Sequence, residues 1–128
     1  MKQKYIDGDL VRYTSLYKEP IAEICEIRET SYLIRYMNGN FAKVTNEEIK
    51  PIPLTQEILE KNGWKKSKIN DCAYFYYKDG LFLTYTSKDD KFWFDDFDYS
   101  SSICVELPYV HSLQHLLFGL GINSEMGV

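Results

Sequence analysis

The sequence predicts a mostly β protein of the α+β class, and three patterns carry that prediction. Short runs of β-prone residues recur along the chain, separated by glycine, proline and polar residues. Two of the breaks, Asn38-Gly39 and Asp79-Gly80, are dipeptides that favour the tight turn of a β-hairpin. Near the C-terminus, residues 107–122 carry apolar side chains at three- and four-residue steps, the period of an amphipathic helix.

The composition is that of a folded protein with a large share of aromatic residues. The chain has 128 residues, enough for one domain or for two small ones. Hydrophobic residues make up 45% and charged residues 27%, which excludes general disorder. The aromatic fraction of 16% is high, so large rings either fill a small core or line a binding surface.

The first part of the chain is predicted to form a small curled barrel. We expect strands at residues 9–13, 21–28, 32–37, 41–45 and 49–52. The last strand is short because Pro51 and Pro53 cannot occupy central positions of a sheet. Since little room is left for a helix, the short strands favour a barrel over an open sheet.

A short helix at residues 56–62 is predicted to begin the second domain. Thr55 is its expected N-cap, and Gly63 is expected to end it in a left-handed conformation. The predicted domains are therefore residues 1–53, a barrel, and residues 54–128, an α+β domain.

The α+β domain is expected to contain this linker helix, an antiparallel β-meander and a C-terminal helix. The meander strands flank Asp79-Gly80 and continue at residues 91–97 and 102–106. Pro108 can begin the C-terminal helix and Gly121 can end it. We expect this helix to cover one face of the meander, because an isolated amphipathic helix is unstable in water.

The strand pattern of the first domain resembles Tudor-like and SH3-like barrels. The likeness is carried by GDLVRY at residues 8–13, IAEI at 21–24, YLIRYMNG at 32–39, Val44, and EIKPI at 48–52. It implies a barrel that, in Tudor-type proteins, can hold methylated side chains in an aromatic cage by cation–π attraction. The rings near the corresponding loops are Tyr13, Tyr17, Tyr36 and Phe41, with Asn38 or Asn40 beside them.

One departure from the Tudor pattern concerns the hairpin between the third and fourth strands. Such barrels often carry an acidic residue before the hairpin glycine, whereas this chain has the run Tyr36-Met-Asn-Gly39. The alternative interpretation is that the same rings fill or edge a small core, which is the usual place of aromatic residues.

The C-terminal part of the chain is similar to uncharacterised small proteins of gut bacteria and their mobile elements. The similarity is carried by LPYVHSLQHLLF at residues 107–118, after a helix containing LTQEIL at residues 54–59. In those proteins a strand leads into a helix with a Tyr-Val-His-x-Leu-Gln-x-Leu pattern, kept here at residues 109–116. The resemblance implies a fold and no assigned activity.

Two places in the sequence are candidates for metal binding. His111 and His115 are four residues apart, a helical spacing that can chelate zinc, with Cys104 or Glu106 as a further ligand. Because the His-Glu-x-x-His pattern and paired cysteines are missing, we expect hydrogen bonds at a helix–sheet interface instead. The second place is an acidic run that lacks the pattern of a calcium loop and predicts an exposed acidic strand edge: Asp89, Asp90, Asp95, Asp96 and Asp98.

No catalytic or cofactor motif stands out in the sequence. It has no phosphate-binding glycine loop and no nucleophile elbow. A pair formed by Cys104 and His111 is geometrically possible, although no family spacing singles it out. The three cysteines, Cys25, Cys72 and Cys104, are odd in number and widely spaced, so we expect reduced thiols. We predict no enzymatic activity and no cofactor.

Charge and hydropathy bear on location and partners. No window approaches the roughly 20 apolar residues of a membrane span, and the N-terminus lacks the apolar core of a secretory signal. We therefore expect a cytoplasmic protein without membrane contact.

The net charge is -4. Residues 1–53 have 8 basic and 8 acidic residues, while the rest has 7 and 11, so the second part carries the charge. That imbalance opposes non-specific nucleic-acid binding by the second part.

The predicted function is that of a non-enzymatic protein-binding or adaptor protein that acts through an aromatic surface. The expected surface is formed by Tyr13, Tyr17 and Tyr36, or by the strand face carrying Phe92, Trp93 and Phe94. The partner is an unidentified protein or peptide, and the chain is a monomer or a homodimer. The alternative is a nucleic-acid-associated module of a phage or other mobile element, using basic residues beside aromatic rings: Lys2, Lys4, Arg12, Arg35 and Lys43.

Overall fold

Two five-stranded antiparallel sheets and two α-helices form the part of the chain that the computed structural model describes, residues 5–95 and 104–128. The mostly β, α+β class is therefore confirmed. The predicted strand ends at Phe97 and Ser102 lie outside the described residues. Within those residues, no helix has the length and apolar character needed to cross a lipid bilayer.

The chain divides into two compact units. The first contains the residues up to Pro53 together with Tyr109–Glu125, and the second contains Leu54–Pro108 with Met126–Val128. The division after Pro53 coincides with the sequence prediction. The return of the chain to the first unit at Tyr109 departs from it, because the sequence predicts a single domain for residues 54–128.

The sheet of the first unit has the strand order β4-β3-β2-β1-β5. Its strands are β1 (Leu10–Tyr13), β2 (Ile21–Ile27), β3 (Tyr32–Tyr36), β4 (Asn40–Val44) and β5 (Ile49–Pro51). A 3-10 turn, Asn46–Glu48, connects β4 to β5. Eight buried residues of this unit form a hydrophobic cluster: Tyr5, Val11, Ala22, Ile24, Tyr32, Ile34, Val44 and Ile49.

This first sheet is not closed into a barrel, so the predicted barrel is not confirmed. The strands β4 and β5 are the two ends of the strand order. A physical reason lies in β5, which has three residues and ends at Pro51, a residue with no backbone N–H to donate. The predicted hairpin between β3 and β4 is confirmed, with Asn38 and Gly39 at φ 57° and 83°.

The second unit contains one helix and the second sheet. The helix is α1 (Gln56–Lys61), and the sheet has the order β10-β9-β8-β7-β6, a simple meander as predicted. Its strands are β6 (Lys65–Asn70), β7 (Ala73–Lys78), β8 (Leu81–Thr86), β9 (Lys91–Asp95) and β10 (Cys104–Glu106). The β7–β8 hairpin turns at Asp79 and Gly80, whose φ values are 52° and 80°, which confirms the second hairpin prediction.

The helix α1 begins and ends as its sequence predicts. The hydroxyl of Thr55 accepts a hydrogen bond from the backbone N–H of Ile58 at 3.2 Å. Gly63 has φ +87°, and the N–H of Trp64 then donates to the carbonyl of Leu59 at 3.0 Å. Leu59 and Trp64 are both buried. The helix and the residue after its glycine cap therefore bury two large apolar side chains.

The C-terminal helix α2 (Val110–Gly119) packs within the first unit. Of the apolar stripe predicted by the helical period, Val110, Leu113 and Leu117 are buried, whereas Leu120, the C-cap of the helix, is 48% exposed. The prediction that this helix covers the meander was wrong. The reason is chemical: Gln114 of α2 is hydrogen bonded to the backbone of Gly8 and Leu10 at the start of the first sheet. A stripe of apolar residues predicts that a helix is covered, but it does not identify the covering surface.

Candidate binding surface

The outer face of the second sheet, the face away from its own core, carries four aromatic side chains. Neighbouring side chains in a strand point to opposite faces of the sheet. The inner face holds the buried Tyr76, Leu83, Tyr85 and Phe92. The residues in the opposite phase include Phe75 and Tyr77 of β7, Phe82 of β8 and Trp93 of β9. We call these four residues the aromatic face.

The strand register brings the four residues of the aromatic face together. Tyr77 and Phe82 are directly paired across β7 and β8, and Thr84 is paired with Phe75 on one side and with Trp93 on the other. The ring centroids of Tyr77 and Phe82 are 4.9 Å apart, and those of Phe75 and Phe82 are 6.2 Å apart. Ring contacts thus join Phe75, Tyr77 and Phe82, and Trp93 lies on the same face across Thr84.

The aromatic face is accessible to a ligand. Tyr77 and Phe82 are 43% and 42% exposed, and Phe75 and Trp93 are half-buried. The face of an antiparallel sheet that does not pack on the core usually alternates to polar residues. Aromatic rings at these positions leave apolar surface in contact with water, an arrangement typical of interaction sites.

One lysine and one serine border the aromatic face on the edge strand β6. Lys65 and Ser67 are the register partners of Tyr77 and Phe75. All six residues of β6 are exposed. On the other side of the patch, Lys91 Nζ lies 3.7 Å from Glu106 Oε1. The aromatic face is therefore bordered by Lys65 at β6 and by a charge-neutral pair toward β10.

The structure assigns the three aromatic residues of β9 to two different faces. Phe92 is 2% exposed and belongs to the core, and its ring lies 4.7 Å from that of Tyr85. Trp93 lies on the aromatic face. The predicted surface of Phe92, Trp93 and Phe94 together was therefore wrong, because consecutive residues of a strand alternate in direction.

The rings of the first unit do not form one cage. Tyr13 and Tyr36 form an edge-to-face pair with centroids 5.1 Å apart, and both pack partly buried against the core. Tyr17 is 85% exposed, and Phe41 is 61% exposed. Phe41 is paired with Arg35, so it lies on the face opposite to Tyr36. The Tyr13–Tyr36 pair matches the alternative interpretation, in which these rings edge a small core.

A buried polar cluster connects α2 to the segment before β1. The Nε2 atom of His115 lies 2.7 Å from Oδ2 of Asp9, and the same oxygen accepts the N–H of Ile6 at 2.9 Å. Burial is the largest influence on Asp9 and raises its pKa above the ordinary value of 3.8, although the bonds from Ile6 and His115 lower it. The ring of His111 stacks on Tyr109 at 5.5 Å. Sequence reasoning missed the role of Asp9.

The histidines serve packing and hydrogen bonding among the described residues. His115 pairs with Asp9, in line with the expected hydrogen bond at a helix–sheet interface. No group of three or more histidine, cysteine or acidic side chains within residues 5–95 and 104–128 is placed to hold a metal ion. Cys25 and Cys72 are free thiols. The side chain of Cys104 lies outside what the structure describes.

The acidic run and the basic residues of the alternative prediction are only partly described. Asp89 and Asp90 are exposed in the turn between β8 and β9, where Asp90 accepts a hydrogen bond from the hydroxyl of Tyr85 at 2.7 Å. Asp96, Asp98, Lys2 and Lys4 lie outside the described residues. An exposed acidic turn fits the sequence prediction for this part of the run.

A pocket of about 550 Å³ is present in the first unit. It lies between the segment before β1, the end of β2 and the end of α2, and it is lined by Ile6, Asp7, Glu26, Ile27 and Phe118. Glu26 is already paired with Arg28, whose Nε lies 3.3 Å from Oε1. The pocket is wide and open, and its charge is partly neutralised, so it offers fewer specific contacts than the aromatic face.

Comparison with known proteins gives no match, whether to a protein-family model, to a curated protein or to a solved structure. The candidate surface therefore rests on geometry alone. Of its four members, sequence reasoning selected Trp93 and missed Phe75, Tyr77 and Phe82. Residues 73–78 and 81–86 carry aromatic side chains at odd and at even positions, and therefore on both faces of their strands. A strand with one face in water needs large apolar side chains on its other face only, so this pattern indicated the aromatic face.

Proposed function

We propose that the protein is a cytoplasmic, non-enzymatic binding protein and that a partner protein binds to its aromatic face. The observation that carries the proposal is the patch of Phe75, Tyr77, Phe82 and Trp93 on the outer face of the second sheet. Tyrosine, tryptophan and phenylalanine dominate the energetic centres of protein interfaces, since they bury a large area with few rotatable bonds.

The role proposed for the first unit is that of a second interaction module of an adaptor. Its strand order, with a 3-10 turn before β5, supports the proposed likeness to SH3-like and Tudor-like barrels. The exposed Tyr17 and Phe41 and the Tyr13–Tyr36 pair remain the predicted contact residues of this module.

The test of the proposal compares two exposed aromatic surfaces. Partners of the tagged protein are recovered from its own cells, with and without nuclease, and identified by mass spectrometry. The double variant Tyr77→Ala, Phe82→Ala is expected to lose a partner that wild type retains after nuclease. Removing two rings from an interface centre costs about 2 kcal/mol or more, roughly thirtyfold in affinity.

The matched control is Phe118→Ala, which removes an aromatic side chain that is 67% exposed on the first unit. Retention of the partner by this variant, together with its loss from the double variant, supports the aromatic face. Loss from Phe118→Ala alone would move the binding surface to the first unit. Both variants must first keep the wild-type circular dichroism spectrum and melting temperature.

The second candidate function is binding of single-stranded nucleic acid. The observation that favours it is the position of the β6 lysines beside aromatic rings, since stacked bases and neutralised phosphates are the two components of such sites. The acidic balance of residues 54–128 opposes it. Nucleic-acid binding weakens steeply with salt, so partners that vanish with nuclease or in ~0.5 M salt would favour this candidate.

A further inference from the structure

We infer that the partner binds by strand addition: an extended acidic segment of the partner protein pairs with the free edge of β6. This inference rests on the proposed function and names the chemistry of the partner. It depends on three properties of β6: its place at the end of the sheet, its charge, and its register with the aromatic face.

The strand β6 is an open edge of the second sheet. It pairs with β7 on one side and ends the strand order on the other. Its six residues are all exposed. The other end strands within the described residues are shorter, with five residues in β4 and three each in β5 and β10. An edge strand presents backbone N–H and C=O groups that an added strand can pair with.

The charge of β6 selects an acidic strand. The sequence of the strand is KKSKIN, with three lysines and no acidic residue. Lys68 is paired with Asp71, at 3.0 Å from Nζ to Oδ1, and Lys66 Nζ lies 4.2 Å from the ring centroid of Tyr74. Lys65 forms no ion pair within the described part of the chain. A segment with glutamate or aspartate opposite these lysines gains cross-strand charge pairs.

The same lysines exclude a second copy of this chain as the occupant. Lysine on an edge strand is a common device against sheet-to-sheet association. When two β6 strands approach each other, three lysines of one chain face three of the other, so the approach is repulsive. Charge complementarity thus distinguishes an acidic partner from a homodimer formed through this edge.

The register links the edge to the aromatic face. Lys65 and Ser67 point to the outer face, where their register partners are Tyr77 and Phe75. Lys66 and Lys68 point to the opposite face of the sheet, where their register partners are Tyr76 and Tyr74. An added strand therefore meets lysines on both faces of the sheet, and it lies about 5 Å from β6. The nearest rings, Phe75 and Tyr77 of β7, are then two strand spacings away, about 10 Å, within reach of the chain that continues from this strand.

The direct test uses synthetic peptides of about ten residues. The first alternates glutamate with valine, the second has lysine in place of glutamate, and the third keeps the glutamates but has proline in place of the central valines. We expect the acidic peptide to shift and protect the backbone amides of Lys65–Asn70 in NMR hydrogen exchange. The lysine peptide should not bind, and the proline peptide should bind at least about tenfold more weakly, because proline cannot donate to a ladder.

Charge reversal provides the matched variant. In the triple variant Lys65→Glu, Lys66→Glu, Lys68→Glu, we expect the acidic peptide to bind at least about tenfold more weakly in ~0.05 M salt and the lysine peptide to bind instead. Because all three side chains are exposed, the fold should persist. Equal binding of the acidic and proline peptides to wild type would overturn strand addition. So would tighter binding of a thymidine oligonucleotide that protects the same amides.

The two proposals fail in different ways. A partner from the cell extract that is lost from Tyr77→Ala, Phe82→Ala but retained by the triple lysine variant would contradict strand addition and leave the aromatic face in place. A partner retained by the double aromatic variant would contradict the aromatic face. Loss from both variants, with retention by Phe118→Ala, supports both proposals.

Discussion

The carboxylate of Asp9 is almost fully buried, at 1% exposure, and its environment couples its protonation to folding. Burial raises its pKa from 3.8 by more than the hydrogen bonds from Ile6 and His115 lower it. The folded chain therefore holds the proton on Asp9 more tightly than the unfolded chain does. Between 3.8 and the raised pKa, each increase in pH favours the unfolded state.

Asp9→Asn is predicted to remove this pH dependence. The free energy of unfolding of wild type, relative to that of Asp9→Asn, should fall as the pH rises from about 3.8 through the raised pKa. The slope should be at most about 1.4 kcal/mol per pH unit, and the difference should then remain constant. Urea unfolding at a series of pH values measures the difference. The ¹³C shift of the Asp9 carboxyl gives its pKa directly, and in His115→Gln that pKa should be higher still. A stability difference that does not vary with pH would contradict this coupling of protonation to folding.

Residue types alone could predict only part of this cluster. The sequence predicted that His111 and His115 share one face of a helix and that hydrogen bonding rather than metal binding is the better interpretation. It could not identify Asp9 as the partner of His115, because the two residues are 106 positions apart. Long-range polar pairs depend on how elements pack, and no local pattern encodes that packing.

At the scale of the element, the helix α2 is held by one buried amide. Oε1 of Gln114 accepts the N–H of Leu10 at 3.0 Å, and Nε2 donates to the carbonyls of Gly8 at 3.0 Å and Ser124 at 3.3 Å. Gln114 is 4% exposed. It satisfies backbone groups at the start of β1 that would otherwise lack a partner in a water-poor interface.

Gln114→Ala is predicted to destabilise the protein by about 2–4 kcal/mol, because three backbone groups, those of Leu10, Gly8 and Ser124, lose their hydrogen-bond partner. The matched control is Ser112→Ala on the same helix, since the Ser112 hydroxyl forms no hydrogen bond with the described residues. Its cost should be below about 0.5 kcal/mol. Denaturant unfolding measures both variants, and equal costs would show that the amide does not hold the helix.

The elements differ in how well their sequences predict them. The turns at Asn38-Gly39 and Asp79-Gly80 and the caps of α1 are local, so residue types were sufficient. The strand β6 was missed because both of its faces are exposed, and its polar sequence has no alternation to detect. The direction in which α2 packs was wrong because the apolar stripe and Gln114 together determine it, and only the stripe has a period.

At the scale of the whole molecule, the order of the chain and the composition of the units differ. The first unit is built from two separate segments, since the chain leaves it after Pro53 and re-enters it at Tyr109. A linker in the sequence divides a chain into contiguous domains. The prolines near residue 53 therefore predicted where the first unit is interrupted, but they could not predict that α2 belongs to it. The aromatic face belongs entirely to the second unit, whose strands are consecutive.

The two units are expected to open separately. Gln114→Ala should increase amide hydrogen exchange in β1 and α2, because it removes bonds inside the first unit. Thr55→Ala removes the N-cap of α1, at a cost of about 1 kcal/mol, and should increase exchange in α1 and β7.

Exchange measured by NMR on both full-length variants separates two models. If each substitution affects its own unit, the units open separately, and the aromatic face stays folded when α2 is loosened. Uniform acceleration across both units by either substitution would mean that the chain opens as one, and the binding surface would then depend on the Gln114 bonds.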